Sequence, residues 1–388
     1  MPKRALLIVL DSVGIGHAPD AASFGDQGAN TMGHIRETVA EFSIPFLDHH
    51  AGLAAAETLA ASEDFVGEVP KFSYGCMIER SLGKDTTTGH WELAGCPVME
   101  AFATFDAFPA ALVKELEDAS GVNFIGNYSQ SGTVILEELG EEHDRTGHPI
   151  LYTSADSVLQ IAAHEAIIPL EDLYEICRAC RGIADRERIG RVIARPFVGR
   201  PGEFTRTTNR HDFSMVPPRT VLNKLSDAGI TTTGVGKIHD IFAGSGIDHS
   251  HPTTNNEHGF MTILNLVSES QGDELIFANL VDFDMLYGHR RDPVGYAKAL
   301  MDLDRWLPQL LQELGEEWLL VITADHGNDP TWRGTDHTRE KVPLLVHNPR
   351  RIEPLGTRHT FADVAASLAD WFGLDGSRFQ GRSFLVPS

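Results

Sequence analysis

Three apolar runs in this 388-residue chain each lead straight into an aspartate, and histidines follow two of them. Leu6 to Leu10 deliver Asp11. Leu275 to Val281 deliver Asp282 and Asp284, with His289 soon after. Leu319 to Ala324 deliver Asp325-His326, and His337 follows in a Gly-containing loop. Carboxylates and imidazoles together make a hard oxygen and nitrogen donor set, suited to divalent metals. Two such ions, about 4 Å apart, can clamp the attacking and leaving oxygens of an in-line phosphoryl transfer. The chemistry expected from these residues is two-metal handling of phosphate.

A transfer of that kind needs a nucleophile. Thr86, in Lys84-Asp85-Thr86-Thr87-Thr88-Gly89-His90-Trp91-Glu92, is the candidate. A hydroxyl is weak at neutral pH, but a neighbouring dication can hold it as alkoxide. Each residue also has a plainer use. Asp11 suits a helix cap, the Asp284–His289 pair suits a solvated helical turn, and the threonines suit a turn bonded to its own backbone. Asp325-His326 is harder to dismiss, because a dry strand ending in two polar groups must pair them or bind an ion.

The runs that carry these residues have the Leu- and Val-rich texture of buried parallel strands. Ligands bind beyond the carboxyl ends of such strands. The expected elements are strands Lys3–Leu10, Tyr74–Arg80, Thr231–Val235, Glu274–Phe283, Trp318–Thr323 and Val342–His347. Helices are expected at Thr31–Phe42, Thr220–Ala228, Glu257–Ser268, Pro293–Leu314 and Phe361–Phe372. Between about Pro97 and Pro217-Pro218 the alternation stops. That stretch has strand-like pieces at Thr133–Leu136 and Arg191–Phe197 around one clear helix, Glu171–Asp185. The expectation is a discontinuous core, residues 1–98 and 217–388, interrupted by an inserted α+β cap, residues 99–216.

Hydrophobic content of 42% and charged content of 22% are those of a globular chain, and 388 residues favour two or three domains. A net charge of −23 argues against nucleic-acid or anionic-membrane surfaces, which need a basic footprint. It leaves small phosphorylated substrates open, since metals and a few arginines reverse the local potential. The short apolar run at the N-terminus ends in Asp11 without a cleavage signal, so it is expected to be a strand of a cytoplasmic protein. Cys177-Arg178-Ala179-Cys180 has redox-motif spacing but falls in a helical pattern, so two ordinary helix residues are expected. His49, His50, His143, His148 and His164 carry no assignment. His249-Ser250-His251-Pro252 lacks a carboxylate partner and is expected in a surface loop.

Four segments resemble the phosphopentomutase family closely. They are Asp11-Ser12-Val13-Gly14-Ile15-Gly16, Gly83 to Glu92, Asp282 to Arg290, and Thr323-Ala324-Asp325-His326-Gly327-Asn328-Asp329-Pro330. That family is a branch of the alkaline phosphatase superfamily, related to cofactor-independent phosphoglycerate mutase. The threonine loop and Tyr-Gly-His-Arg are specific to it, whereas Asp-His-Gly is shared across the superfamily. The resemblance implies an alkaline phosphatase-like α/β core, a mostly parallel sheet flanked by helices. It implies one ion on Asp284, His289 and His337, another on Asp11, Asp325 and His326, and phosphate carried on Thr86. The implied cations are two manganese ions, although these ligand types suit Zn²⁺ and Fe²⁺ as well. The implied reaction interconverts ribose 1-phosphate and ribose 5-phosphate, and their 2-deoxy forms, through a pentose 1,5-bisphosphate. A sugar bisphosphate such as glucose 1,6-bisphosphate would prime it.

Asp156 resembles the family's sugar-contacting aspartate. Arg195, Arg206 and Arg210 are arginines in an acidic chain, and their forked donors suit a phosphate. Lys237, just after strand Thr231–Val235, is expected to reach the substrate from the core side. Two other outcomes remain open. A hydrolase of the same superfamily would release inorganic phosphate, and a catalytically silent metal-binding scaffold would bind no sugar phosphate. A phosphoglycerate mutase would carry serine where this chain has Thr86.

Overall fold

In sequence order the strands are Arg4–Leu10, Ser73–Met77, Thr231–Val235, His249–His251, Glu274–Leu280, Trp318–Thr323, Val342–His347 and Pro354–Arg358 for one sheet. A computed structural model of the chain describes residues 2–154, 157–348 and 352–385. It divides into two compact units, Met1–Glu100 with Pro217–Ser388, and Ala101–Val216.

In the larger unit, Arg4–Leu10 lies at the middle of the sheet, flanked by Glu274–Leu280 and Trp318–Thr323, both parallel to it. Among the described strands of this sheet, only Val342–His347 runs against both its neighbours. Every residue from Ala5 to Leu10, Leu275 to Leu280 and Trp318 to Thr323 is buried. Side chains alternate between sheet faces, so uninterrupted burial means that both faces are covered. One cover is the helix Pro293–Glu313, which buries Tyr296, Leu300, Leu303, Leu307 and Leu310 at helical spacing. Asp292 caps it by accepting from the Gly295 N–H, and Pro293 occupies the first turn, where no amide donor is missed.

The smaller unit carries a six-stranded mixed sheet. Leu151, Leu159, Ile161, Val192 and Ala194 point to one face, against Leu112, Leu116, Leu173 and Cys177 of helices Ala110–Ser120 and Leu170–Arg186. Ile150, Tyr152, Ala162 and Phe197 point to the other, with Ile135 and Leu136. Cys177 and Cys180 are buried free thiols, and burial raises the pKa of both.

Some elements differ from expectation. Thr133–Leu136 is not a strand; Val134–Thr146 is a helix. Gly140 interrupts its apolar face and hides the helical period, because that position must stay open: a Cβ there would lie 2.3 Å from the Phe204 ring. His249–His251 is not a loop but a short edge strand beside Thr231–Val235. The Glu274 strand ends at Leu280, and Phe283–Gly288 winds as one π-helical turn. No helix among the described residues is long and apolar enough to cross a membrane.

Candidate metal centre

Strand register assembles the first group. Val9 pairs with Thr323, so two residues further on, just past the ends of these adjacent parallel strands, Asp11 stands beside Asp325. His326 follows, with Nε2 3.4 Å from Asp11 Oδ1 and 3.3 Å from Asp325 Oδ2. All three are at most 2% exposed. The chain turns away through Ser12, whose φ of 73° is left-handed, a conformation costing about 1–2 kcal/mol outside glycine. In return the Ser12 N–H donates to Asp325 Oδ1 at 3.1 Å, and its carbonyl accepts from the Asn328 N–H. Asn279 donates to Asp11 Oδ2 at 3.1 Å. Each carboxylate thus has one oxygen fixed by the protein, while Asp11 Oδ1 and Asp325 Oδ2 have no hydrogen-bond partner.

The second group comes from the π-helical turn and the loop after Trp318–Thr323. The His289 N–H reaches back five residues to the Asp284 carbonyl, a spacing that brings the two side chains together. His289 Nε2 lies 3.2 Å from Asp284 Oδ2, and His337 Nε2 lies 3.4 Å from Asp284 Oδ1. The Thr335 carbonyl sits 2.7 Å from His289 Nδ1, which assigns that nitrogen the proton and leaves Nε2 as donor to a metal. The His337 ring is 4.0 Å from that of His326. Donor atoms of Asp284, His326 and His337 lie within 4.8 Å of one another, as do those of Asp11, Asp325 and His326. His326 therefore belongs to both tight groups, while His289 adjoins Asp284 at the more open side, its side chain 40% exposed.

The cluster concentrates buried charge of both signs. Burial, with the charge of Asp325, raises the Asp11 pKa above the ordinary carboxylate value. Burial opposes charge on His326, yet Asp325, Asp11 and Asp284 together lift its pKa well above the usual imidazole value. Burial likewise opposes ionisation of Asp284, but His289 and His337 hold that carboxyl well below its usual range. Three carboxylates and three imidazoles, with Asp11 Oδ1, Asp325 Oδ2 and His337 Nε2 left without hydrogen bonds, fit divalent ions in donor type and in number.

Thr86 opens the helix Thr86–Leu93. Asp85 caps it, accepting from the Thr87 and Thr88 N–H groups, and Thr88 Oγ1 returns a bond to the Asp85 N–H. Thr86 Oγ1 lies 3.2 Å from His326 Nε2. This close approach requires Gly89, where any Cβ would meet the Asp325 carbonyl oxygen at 2.1 Å. His90 is fully buried beneath, with Nδ1 2.8 Å from the Thr86 carbonyl and 3.1 Å from Asp325 Oδ2.

Sequence reading assigns no role to Ser12, His90, Asn279 or Asn328, although all four touch the site. Asn279 left a signal, being the one polar residue in the run Leu275 to Val281. Asp282 is turned elsewhere, accepting from the Asn256 N–H at the start of helix Asn256–Glu269. Lys237 is exposed, with Nζ 4.0 Å from Met285 Sδ and its charge acting on Asp282.

In the smaller unit, Arg195, Arg206 and Arg210 line a cavity of about 570 Å³ together with Thr133, Phe204 and Thr207. The three guanidinium charges all act on the Tyr152 hydroxyl. Arg195 Nε donates to Gln160, and Arg210 forks onto Asp212 at 2.7 and 2.6 Å. Asp156 lies outside the described residues.

Residues 3–376 match the model of the Metalloenzyme superfamily. A phosphopentomutase of Carboxydothermus hydrogenoformans is 52% identical over 379 residues, covering 96% of either chain. One from Caldanaerobacter subterraneus subsp. tengcongensis is 51% identical over 392 aligned residues, covering 99% of this chain and 98% of that one. Among solved structures, a Leishmania mexicana phosphoglycerate mutase aligns over 99% of this chain and 98% of its own. At 13% identity and a TM-score of 0.50, that likeness speaks for the alkaline phosphatase-type fold alone. The chain belongs to the phosphopentomutase family of the Metalloenzyme superfamily, a family of metal-dependent mutases.

Proposed function

We propose that this chain interconverts ribose 1-phosphate and ribose 5-phosphate, and the 2-deoxyribose phosphates, through a phosphorylated Thr86. The observation that carries the proposal is the Thr86 hydroxyl 3.2 Å from His326, the residue common to both candidate metal groups. Asp11, Asp325 and His326 would hold one ion, and Asp284, His289 and His337 the other. When bound, two Mn²⁺ ions would neutralise charge on the transferring phosphoryl oxygens and favour Thr86 as alkoxide.

The residues account for the rest. Phospho-Thr86 gives its phosphoryl group to the free hydroxyl of the sugar phosphate: the new O–P bond forms, the Thr86 Oγ1–P bond breaks, and the proton of the sugar hydroxyl passes to the departing Thr86 oxygen. The resulting pentose 1,5-bisphosphate turns over and returns its other phosphoryl group to Thr86 by the reverse displacement. Asp85, as helix cap, keeps Thr86 at the first turn, and His90 pins the carbonyl of the same residue. Arg195, Arg206 and Arg210 would grip a phosphate group, and Asp156 and Lys237 are the further residues assigned to the substrate. A sugar bisphosphate such as glucose 1,6-bisphosphate first loads Thr86.

The test is a coupled assay on ribose 1-phosphate with Mn²⁺, with and without glucose 1,6-bisphosphate, followed by mass measurement of the Thr86 peptide. Isomer formation with a phosphorylated peptide supports the proposal. Inorganic phosphate released faster than isomer would identify a hydrolase instead.

A further inference from the structure

Two chain segments bring Asp284, His289 and His337 together, and no strand pairing joins one to the other; the loop is closed on itself, by the bridge between Gly327 and Thr338. One is the π-helical turn Phe283–Gly288 with His289; the other is the irregular loop that follows Asp325-His326. A polar loop must satisfy its carbonyls somewhere. Here five oxygens converge on one guanidinium, that of Arg291. Its Nε donates to the Gly334 carbonyl at 2.5 Å, and Nη2 to the Asp336 carbonyl at 3.1 Å. Its Nη1 serves the Asp329 carbonyl at 2.7 Å, Asn328 Oδ1 at 2.8 Å and the Gly288 carbonyl at 3.2 Å. Asn328, oriented in this way, donates from Nδ2 to Asp284 Oδ1 at 2.7 Å. Gly288 makes room for it, since a Cβ there would lie 2.7 Å from Asn328 Nδ2.

We propose that Arg291 is the positioning residue for the Asp284, His289 and His337 group, clamping the turn to the loop before any cation binds. The guanidinium spans from the residue preceding His289 to the residue preceding His337. Its planar fork can serve several carbonyls in fixed directions, which a lysine ammonium cannot. The backbone at Arg291 has φ 56°, a left-handed conformation that suits glycine. Arg291→Gly therefore removes the clamp without straining the chain.

This inference rests on the two-metal reading, and the experiment separates the two. Mn²⁺ stoichiometry and affinity are measured on wild-type and Arg291→Gly protein, with the thermal melt as a control on folding. Wild-type protein should bind two ions per chain; binding of none would fail the two-metal reading itself. Arg291→Gly should keep one ion at wild-type affinity and bind the second about 10- to 100-fold more weakly, the usual cost of losing a residue that orients metal ligands. Two ions at wild-type affinity, or equal weakening at both sites, would overturn the proposal. Should the glycine variant not fold, Arg291→Lys carries the same comparison. Hydrogen exchange on the metal-free proteins adds a second readout: the peptide covering residues 327–338 should be less protected in Arg291→Gly than in wild type. Equal protection in the two would mean that Arg291 does not join the segments.

Discussion

The larger unit gathers negative charge beyond the carboxyl ends of its central strands, whereas the smaller unit gathers positive charge around a cavity. The two differ in how their charges are supported. Asp11 and Asp325 follow buried strands and leave Asp11 Oδ1 and Asp325 Oδ2 without a hydrogen bond, facing the imidazoles of His326 and His90. A buried charge in that condition costs several kcal/mol unless something neutralises it. The arginines stand on the rim of a cavity, where Arg195 and Arg210 are already engaged by Gln160 and Asp212. The acidic cluster thus has oxygens left for a cation to engage, while Arg195 and Arg210 of the basic cleft are already bonded within the protein.

Substitutions at the two places should separate chemistry from grip. Thr86→Ala should have the largest effect, lowering mutase turnover by roughly 10⁴-fold or more, as removal of a nucleophile does. Mass spectrometry should find no phosphorylated peptide in that variant, and retained turnover on ribose 1-phosphate would break the assignment. Next, Asp325→Ala should lose at least about 100-fold in Mn²⁺ affinity, beyond the 10- to 100-fold typical of residues that merely orient ligands. Metal analysis after gel filtration checks this, and unchanged metal content would dissociate Asp325 from the centre.

At the basic cleft, Arg206→Ala or Arg210→Ala should raise KM about 10- to 100-fold, the equivalent of roughly 1.5–3 kcal/mol for a hydrogen bond to a charged group. Metal content should not change, and if metal is lost instead the contrast between the units collapses. The smallest effect is expected at Arg145, an exposed residue of the same unit paired with Glu142. Arg145→Ala should cost no more than about 0.5 kcal/mol in denaturant unfolding and leave KM alone. A comparable rise in KM there would mean that general charge, not the cleft, attracts the substrate.

The strand ends were legible because buried strands have a strong local signature, and a charged residue ending such a strand is conspicuous. Trp318–Thr323 and Val342–His347 have in the structure the limits expected from sequence. Helix Val134–Thr146 was not legible, since Gly140 is explained only by Phe204, far away along the chain. Arg291 was equally silent. An arginine in a loop is ordinary in sequence, and only the folded chain shows five oxygens around it.

The amino-acid sequence by itself determined which side chains arrive at the carboxyl ends of the central strands, because hydrophobic burial selects the strands and places an aspartate just past each of three. It also carried the family resemblance, through short segments whose chemistry is local. Only the tertiary structure decided how those side chains are shared. Register set Asp11 beside Asp325, one π-helical turn brought His289 to Asp284, and His326 came to serve both groups. Such choices depend on distances between strands and loops far apart in the chain, and no local pattern of residues encodes them.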